Sequence, residues 1–154
     1  MAYDDAARRI VTAWKERGVR DLACLAADVV VAGIQAPAAD CVTFVPPDDE
    51  RQLRRGVHPA ESLARELAAR WHLPLASLLQ RTRDSTRQRA LSELARRRNL
   101  AGVFAATDGI TARLLLIDDI YTTGATANAA ASALRRAGAR HVDVVTFART
   151  LKRS

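Results

Sequence analysis

Residues 114–117, "LLLI", are four consecutive apolar residues that run directly into two adjacent carboxylates, Asp118 and Asp119. A continuous apolar run suits a strand in the middle of a parallel sheet, because helices cover both faces of such a strand. The loop "TTGAT" begins after two further residues, Ile120 and Tyr121, and an alanine-rich segment follows it. Ligands of open α/β sheets bind beyond the carboxyl ends of the strands. The order of these residues therefore predicts a ligand site where the apolar run ends.

The rest of the chain alternates strand patterns with helix patterns. Strands are predicted in "DCVTFVPP", "PLASLLQRTRD" and "HVDVVTFA", and "GVFAAT" is predicted as a hairpin arm that turns through Asp108 and Gly109 into the strand "ARLLLID". Helices are predicted at residues 4–17, from a cap at Asp21 to near Gly33, in "AESLARELAARW", in the later half of "STRQRALSELARRRN", and at residues 126–137. This alternation predicts an α/β fold, with a largely parallel central sheet flanked by helices, as a single domain over residues 1–154.

Charge and cysteine content limit the partners and the compartment. Lysine and arginine outnumber the acids by 24 to 17, and 22 of these cations are arginine. Guanidinium groups favour phosphate-bearing partners, although a GC-rich genome explains the same surplus equally well. No apolar run could span a bilayer and no secretory signal is recognisable, so we expect a cytoplasmic protein without a membrane span. Cys24 and Cys41 are not paired in a C-x-x-C motif and are expected to be small buried residues.

The loop after the two carboxylates has the composition of a phosphate site. Gly124 allows a tight turn, and the amides of residues 123–126 can then point into one concavity at the positive end of the next helix. Adjacent carboxylates suit sugar hydroxyls or a hydrated Mg²⁺. A sugar 5-phosphate fits both parts of this site, because its phosphate suits the loop and its hydroxyls suit the carboxylates. A plain helix cap is the alternative, but a cap needs one acid rather than two behind a buried strand.

The stretch "LLLIDDIYTTGAT" resembles the phosphoribosyl pyrophosphate (PRPP) loop of type I phosphoribosyltransferases. The segments "VP…RRG", "RTRDSTRQRALSELARRRNLAGVF" and "AGARHVDVVTFART" are similar to the ComF family, as is the helical opening "YDDAARRIVTAWKERG". The likeness covers nearly the whole chain. It implies a type I phosphoribosyltransferase fold without the four-cysteine zinc ribbon with which the family often begins.

The resemblance also implies a role for particular residues. Asp118 and Asp119 would hold the ribose hydroxyls, directly or through Mg²⁺, which makes Mg²⁺ the expected cofactor. The 5-phosphate would be cradled by Thr122, Thr123, Gly124, Ala125 and Thr126. Pyrophosphate would bind near two basic regions, represented by Arg54, Arg55 and Gly56 and by Arg81, Arg83 and Arg87. Catalysis would rest on positioning and charge stabilisation, and no catalytic group is identified.

Some positions depart from the family pattern. Val57, His58 and Pro59 replace the usual Phe-Asn-Gln, and the acidic residues 48–50 precede that segment. Thr122 stands where purine salvage enzymes of this fold usually carry an aspartate, which argues against hypoxanthine or guanine transfer. His58 is either a loop histidine or a ligand contact, and Tyr121 either packs or stacks on a base.

Two functions from different classes remain. The first is a Mg²⁺-dependent phosphoribosyltransferase-like enzyme that acts on PRPP or another sugar phosphate, with the acceptor left open. The second is a non-enzymatic ComF-type competence factor that binds a phosphorylated ligand or single-stranded DNA during DNA uptake. Seven arginines between residues 81 and 98 suit a lid over pyrophosphate, a basic DNA groove or a solvated helix face. No aromatic residues interleave them before residue 98 for base stacking. The sequence also leaves open whether the protein forms a homodimer.

Overall fold

The elements below come from a computed structural model, which describes residues 20–47, 58–82 and 102–149. In chain order they are α1 (Arg20–Gly33), β1 (Cys41–Phe44), α2 (Pro59–Arg70), β2 (Leu79–Arg81), β3 (Phe104–Ala106), β4 (Arg113–Tyr121), α3 (Ala125–Arg136) and β5 (His141–Arg149). The predicted α/β class is confirmed. The helices predicted at residues 4–17 and within residues 85–99 lie outside the described ranges. Among the described helices, none is long and apolar enough to cross a membrane.

The central sheet is parallel and has β4 in its middle. Its strand order is β1-β4-β5, with Cys41 opposite Leu114 in one pair and Arg113 opposite His141 in the other. Leu75 extends this sheet on the far side of β1 through a parallel bridge to Val42. The carboxyl ends of all three strands therefore meet at one edge.

Both faces of β4 are covered, as the apolar run predicts. Leu115 and Ile117 belong to a buried cluster with residues of α1 and α2, including Leu63. Leu114 and Leu116 belong to a second cluster on the opposite face, with residues of α3. All four side chains of the run are at most 1% exposed. Each such burial contributes about 1.5–3 kcal/mol, which makes β4 the most firmly anchored strand and fixes the position of the residues that follow it.

In the described part of the chain, the second sheet pairs β2 with β3, which are antiparallel with Leu79 opposite Ala106. The prediction that β3 forms a hairpin with β4 is therefore wrong. Gly109 does turn the chain, at φ +77°. After the turn, however, Ile110 donates its N–H to the carbonyl of Ala137 at 3.0 Å, which holds the chain at the end of α3 rather than alongside β3.

A salt bridge connects helices α1 and α2. Arg70 of α2 lies 2.6 Å from Glu66 in its own helix and 2.8 Å from Asp28 of α1. The hydrogen bonds to Glu66 and then to Asp28 raise the pKa of the Arg70 guanidinium further above its usual range. Asp21, predicted as the helix cap, lies inside the first turn because α1 already begins at Arg20.

The cysteines differ from the prediction that both are buried. Cys24 is exposed, and its Sγ lies 3.1 Å from Nη2 of Arg70. Cys41 is half-buried, and burial raises the pKa of its thiol. Both thiols are free. His72 and His141 are exposed, as expected for residues that flank elements.

Candidate functional site

The candidate site lies at the carboxyl edge of the parallel sheet. Asp118 is opposite Thr146 of β5, and on the other side Val45, just after β1, donates its N–H to the carbonyl of Ile117 at 3.0 Å. The ends of β1, β4 and β5 therefore surround the first aspartate. This is the edge at which ligands of parallel α/β sheets bind.

The regular alternation of β4 breaks at the aspartate pair. Ile117 and Ile120 both pack against the cluster on the α1 and α2 side, although their separation of three residues would place them on opposite faces of a regular strand. One step between them therefore does not alternate. A break here removes the requirement that Asp118 and Asp119 point to opposite faces.

Local hydrogen bonds orient the two carboxylates. Asp119 donates its N–H to Oδ1 of Asp118 at 2.9 Å, and Ile120 donates its N–H to Oδ1 of Asp119 at 2.9 Å. Asp118 is only 7% exposed, whereas Asp119 is half-buried. A carboxylate oxygen that accepts a backbone N–H is held in place, so these bonds fix the orientation of each group.

The loop after β4 presents the start of α3. Gly124 is the N-cap, in the left-handed region at φ 75° and ψ 0°, so the cap residue has no side chain to bond the first amides of α3, and the first turn of α3 contains no acid. Thr123 accepts the N–H of Ala125 through Oγ1 at 3.3 Å. Thr122 and Thr123 are exposed, while Ala125 and Thr126 are half-buried. The positive end of α3 thus lies next to threonine hydroxyls, and the first turn of α3 contains no carboxylate. This arrangement favours a bound anion.

Gly124 is required by its surroundings as well as by its conformation. A Cβ at this position would lie 2.5 Å from Cζ and 2.9 Å from Cε2 of Tyr121, and would overlap the Tyr121 hydroxyl. The Tyr121 side chain therefore packs directly against the loop backbone. Of the two sequence-based interpretations of Tyr121, this contact supports packing.

Arg81 is the one residue of the predicted pyrophosphate group that the structure describes. Its Nε donates to the carbonyl of Pro46 at 3.1 Å, and its guanidinium carbon lies 4.8 Å from the ring centre of Phe104. Pro46 follows β1 at the carboxyl edge, so Arg81 does reach the edge of the sheet that carries Asp118. The backbone bond and the cation–π contact hold it there. The other residues predicted to bind pyrophosphate lie outside the described ranges: Arg54, Arg55, Gly56, Arg83 and Arg87.

His58 has a structural role that the sequence interpretation missed. Its Nδ1 accepts the N–H of Glu61 at 3.3 Å, so His58 is the N-cap of α2. Its ring lies 6.0 Å from the ring of Phe44 at the end of β1. Pro59 at the first helical position and Glu61 two positions later are the signals that could have identified this cap.

The carboxylates limit how a metal could bind. In residues 20–47, 58–82 and 102–149, no group of three or more His, Cys, Asp or Glu side chains is arranged to hold a metal ion. Mg²⁺ commonly uses one or two carboxylates and takes its other ligands from substrate phosphates and water. The donor set of Asp118 and Asp119 fits that pattern.

A comparison with known families agrees with this geometry. Residues 52–154 match the phosphoribosyl transferase domain family. The chain belongs to this family. The match includes β4, the loop and α3, and therefore Asp118, Asp119 and residues 122–126.

Curated relatives identify the branch of the family. Competence protein F of Haemophilus influenzae is 30% identical over 141 residues, which are 88% of this chain and 62% of that protein. DNA utilization protein YhgH of Escherichia coli O157:H7 is 36% identical over 121 residues, which are 77% of this chain and 52% of that protein. The chain thus spans between half and two thirds of the length of these relatives. The resemblance to the ComF family is confirmed.

A solved structure supports the fold. The glutamine PRPP amidotransferase from Bacillus subtilis, complexed with ADP and GMP, superposes with a TM-score of 0.56 and 25% identity. The superposition covers 81% of this chain and 26% of that one. The predicted type I phosphoribosyltransferase fold is confirmed.

Proposed function

We propose that this chain binds PRPP with Mg²⁺, in the cytoplasm, and transfers or handles its phosphoribosyl group. The observation that carries the proposal is the continuous segment of β4, loop and α3. It combines a nearly buried carboxylate at the strand end, a glycine at φ 75°, and a helix start whose first turn contains no acid. A sugar that carries both hydroxyls and a 5-phosphate satisfies all three.

Each part of the segment has a chemical task in this proposal. The amides and hydroxyls of residues 122–126 bind the 5-phosphate, because they lie at the positive end of α3. Asp118 and Asp119 accept hydrogen bonds from the ribose hydroxyls and orient the ring. Asp118 and Asp119 would also hold Mg²⁺, directly or through water, and the ion would supply positive charge for the pyrophosphate group. The residues of the chain thus contribute mainly by positioning the sugar.

The pyrophosphate half of the proposal involves the arginines. Arg81 is already at the carboxyl edge through its bond to Pro46. We assign pyrophosphate binding to Arg81 together with Arg54, Arg55, Gly56, Arg83 and Arg87. Guanidinium groups match phosphate oxygens two at a time, which suits a leaving group made of two phosphates.

A thermal unfolding experiment with PRPP tests the proposal. A ligand at 100 times its dissociation constant stabilises the folded state by about 2.7 kcal/mol, so PRPP with Mg²⁺ should raise the unfolding temperature clearly. Ribose 5-phosphate should stabilise less, and ribose without a phosphate should not stabilise at all. The proposal fails if PRPP has no effect, or if ribose alone is as effective as ribose 5-phosphate.

The arginine-rich segment after β2 carries a separate prediction. If residues 81–88 close over pyrophosphate, the amides of residues 83–88 should exchange quickly in ligand-free buffer and slow down when PRPP and Mg²⁺ are added. Arg81 ends β2, and Thr82 already donates its N–H to the carbonyl of Val103 at 2.9 Å, so these two residues are not expected to report closure. Ribose 5-phosphate lacks the pyrophosphate and serves as the control, because it should protect residues 122–126 but not this segment. Mass-spectrometric hydrogen exchange measures both regions at once. Equal exchange of residues 83–88 with and without PRPP would remove the lid role.

A second candidate function is binding of single-stranded DNA without catalysis. The names of the relatives, Competence protein F and DNA utilization protein, favour it, as does the formal net charge of +7. Binding of this kind releases counterions, so the affinity for an oligonucleotide should fall steeply as salt rises. A titration at several salt concentrations measures how steeply the affinity falls. Weak binding with a shallow salt dependence would argue against DNA binding and leave PRPP binding as the remaining proposal.

A further inference from the structure

The contact between Tyr121 and Gly124 joins the strand to the phosphate loop. Tyr121 is the last residue of β4 and is half-buried. The far end of its side chain, comprising the hydroxyl, Cζ and Cε2, occupies the space that a Cβ on Gly124 would need. A shorter side chain at position 121 would not reach the space beside Gly124.

We propose that Tyr121 is a positioning residue that holds the phosphate loop, residues 122–126, in its binding shape before a ligand arrives. This inference rests on the proposed function, because it concerns the same loop. The role is distinct from touching the ligand. Tyr121 acts through Gly124, whose left-handed backbone directs the following amides.

The anchoring of Tyr121 explains why it can hold the loop. It ends a strand in which residues 114–118 are buried, and it pairs in register with Arg149 of β5. A tyrosine ring has few rotatable bonds, so little freedom is lost when it packs. The loop itself contains threonine and glycine and would otherwise sample many conformations. A loop that is ordered in advance loses less entropy on binding, which improves affinity.

The first test measures binding of ribose 5-phosphate to variants at position 121. Tyr121→Ala should weaken the affinity about tenfold, because the loop must then be ordered during binding. Tyr121→Phe keeps the ring atoms that contact Gly124 and should restore affinity to within about threefold of the parent, since only the hydroxyl is lost. Titration calorimetry measures these constants. Hydrogen exchange should show faster exchange in Tyr121→Ala at residues 122–126 and unchanged exchange in the rest of α3.

Two results of this test would overturn the inference. Equal or tighter binding of ribose 5-phosphate by Tyr121→Ala would mean that the side chain obstructs the loop instead of shaping it. A loss of affinity for nucleotides with no loss for ribose 5-phosphate would mean that Tyr121 stacks on a base. Either outcome would leave PRPP binding itself intact.

A second test needs no ligand. Gly124→Ala should lower the unfolding temperature more in the parent than in the Tyr121→Ala variant, because removing the ring removes the overlap with the new Cβ. Gly109 has nearly the same φ, 77° against 75°, but nothing within 4 Å of a Cβ, so Gly109→Ala should have the same effect in both backgrounds. If Gly124→Ala is equally costly in both backgrounds, Tyr121 does not constrain the loop. If the parent binds no ribose 5-phosphate, the proposed function fails, while this comparison still decides the role of Tyr121.

Discussion

Gly124→Val is expected to abolish the stabilisation that PRPP or ribose 5-phosphate gives to the folded protein. Valine must adopt a left-handed backbone at φ 75°, which costs about 1–2 kcal/mol or more for a branched residue. Its side chain must also displace Tyr121, at about 1–3 kcal/mol for overpacking of this kind. Both strains fall on the loop that is proposed to bind the phosphate. Thermal unfolding with and without ligand measures the two effects together.

Gly109→Val provides the matched control. Gly109 also has a left-handed backbone, at φ 77°, but it lies in an exposed turn with open space around it. We expect Gly109→Val to lose stability only through the strained left-handed backbone and to keep its full stabilisation by ligand. A Gly124→Val protein that is still stabilised normally by ribose 5-phosphate would show that the phosphate binds elsewhere.

The features that the sequence predicted well are those encoded in neighbouring residues. The buried strand, the turn at Gly124 and the alanine helix follow one another without interruption, and each has its own local signal. The apolar run identified the central strand because only a strand covered on both faces needs such a run. The cap at His58 was also readable, from Pro59 and Glu61, although it was missed.

The features that the sequence did not predict depend on contacts between distant residues. Asp108 and Gly109 correctly indicated a turn, but the partner of β3 was determined by the bond from Ile110 to Ala137. Arg81 binds the carbonyl of Pro46, 35 residues earlier in the chain, and no local pattern indicates that pairing. The break in alternation at the aspartates coincides with the backbone N–H bonds that the Asp118 and Asp119 carboxylates accept, and no apolar pattern indicates those bonds.

The double variant Asp118→Asn with Asp119→Asn is expected to lose the Mg²⁺-dependent stabilisation by PRPP entirely. The change removes both groups proposed to hold the ribose hydroxyls and the metal. In ligand-free buffer, the unfolding temperature should stay nearly unchanged or rise slightly. Asparagine can still accept the N–H bonds of Asp119 and Ile120 through its amide oxygen, and the repulsion between two neighbouring negative charges disappears. Calorimetric unfolding with PRPP, with and without Mg²⁺, measures both expectations.

A control with the same change of charge separates the two candidate functions. Asp108→Asn with Asp143→Asn also raises the formal net charge of +7 by two units, but it alters an exposed turn and the body of β5 instead of the candidate site. For a protein that binds single-stranded DNA, both double variants should bind an oligonucleotide more tightly, because both make the surface more basic. For a PRPP-binding protein, only the variant at Asp118 and Asp119 should lose its response to PRPP. Metal-dependent PRPP binding that survives in that variant would contradict the assignment of these carboxylates, since no other pair in the described part of the chain follows a buried central strand.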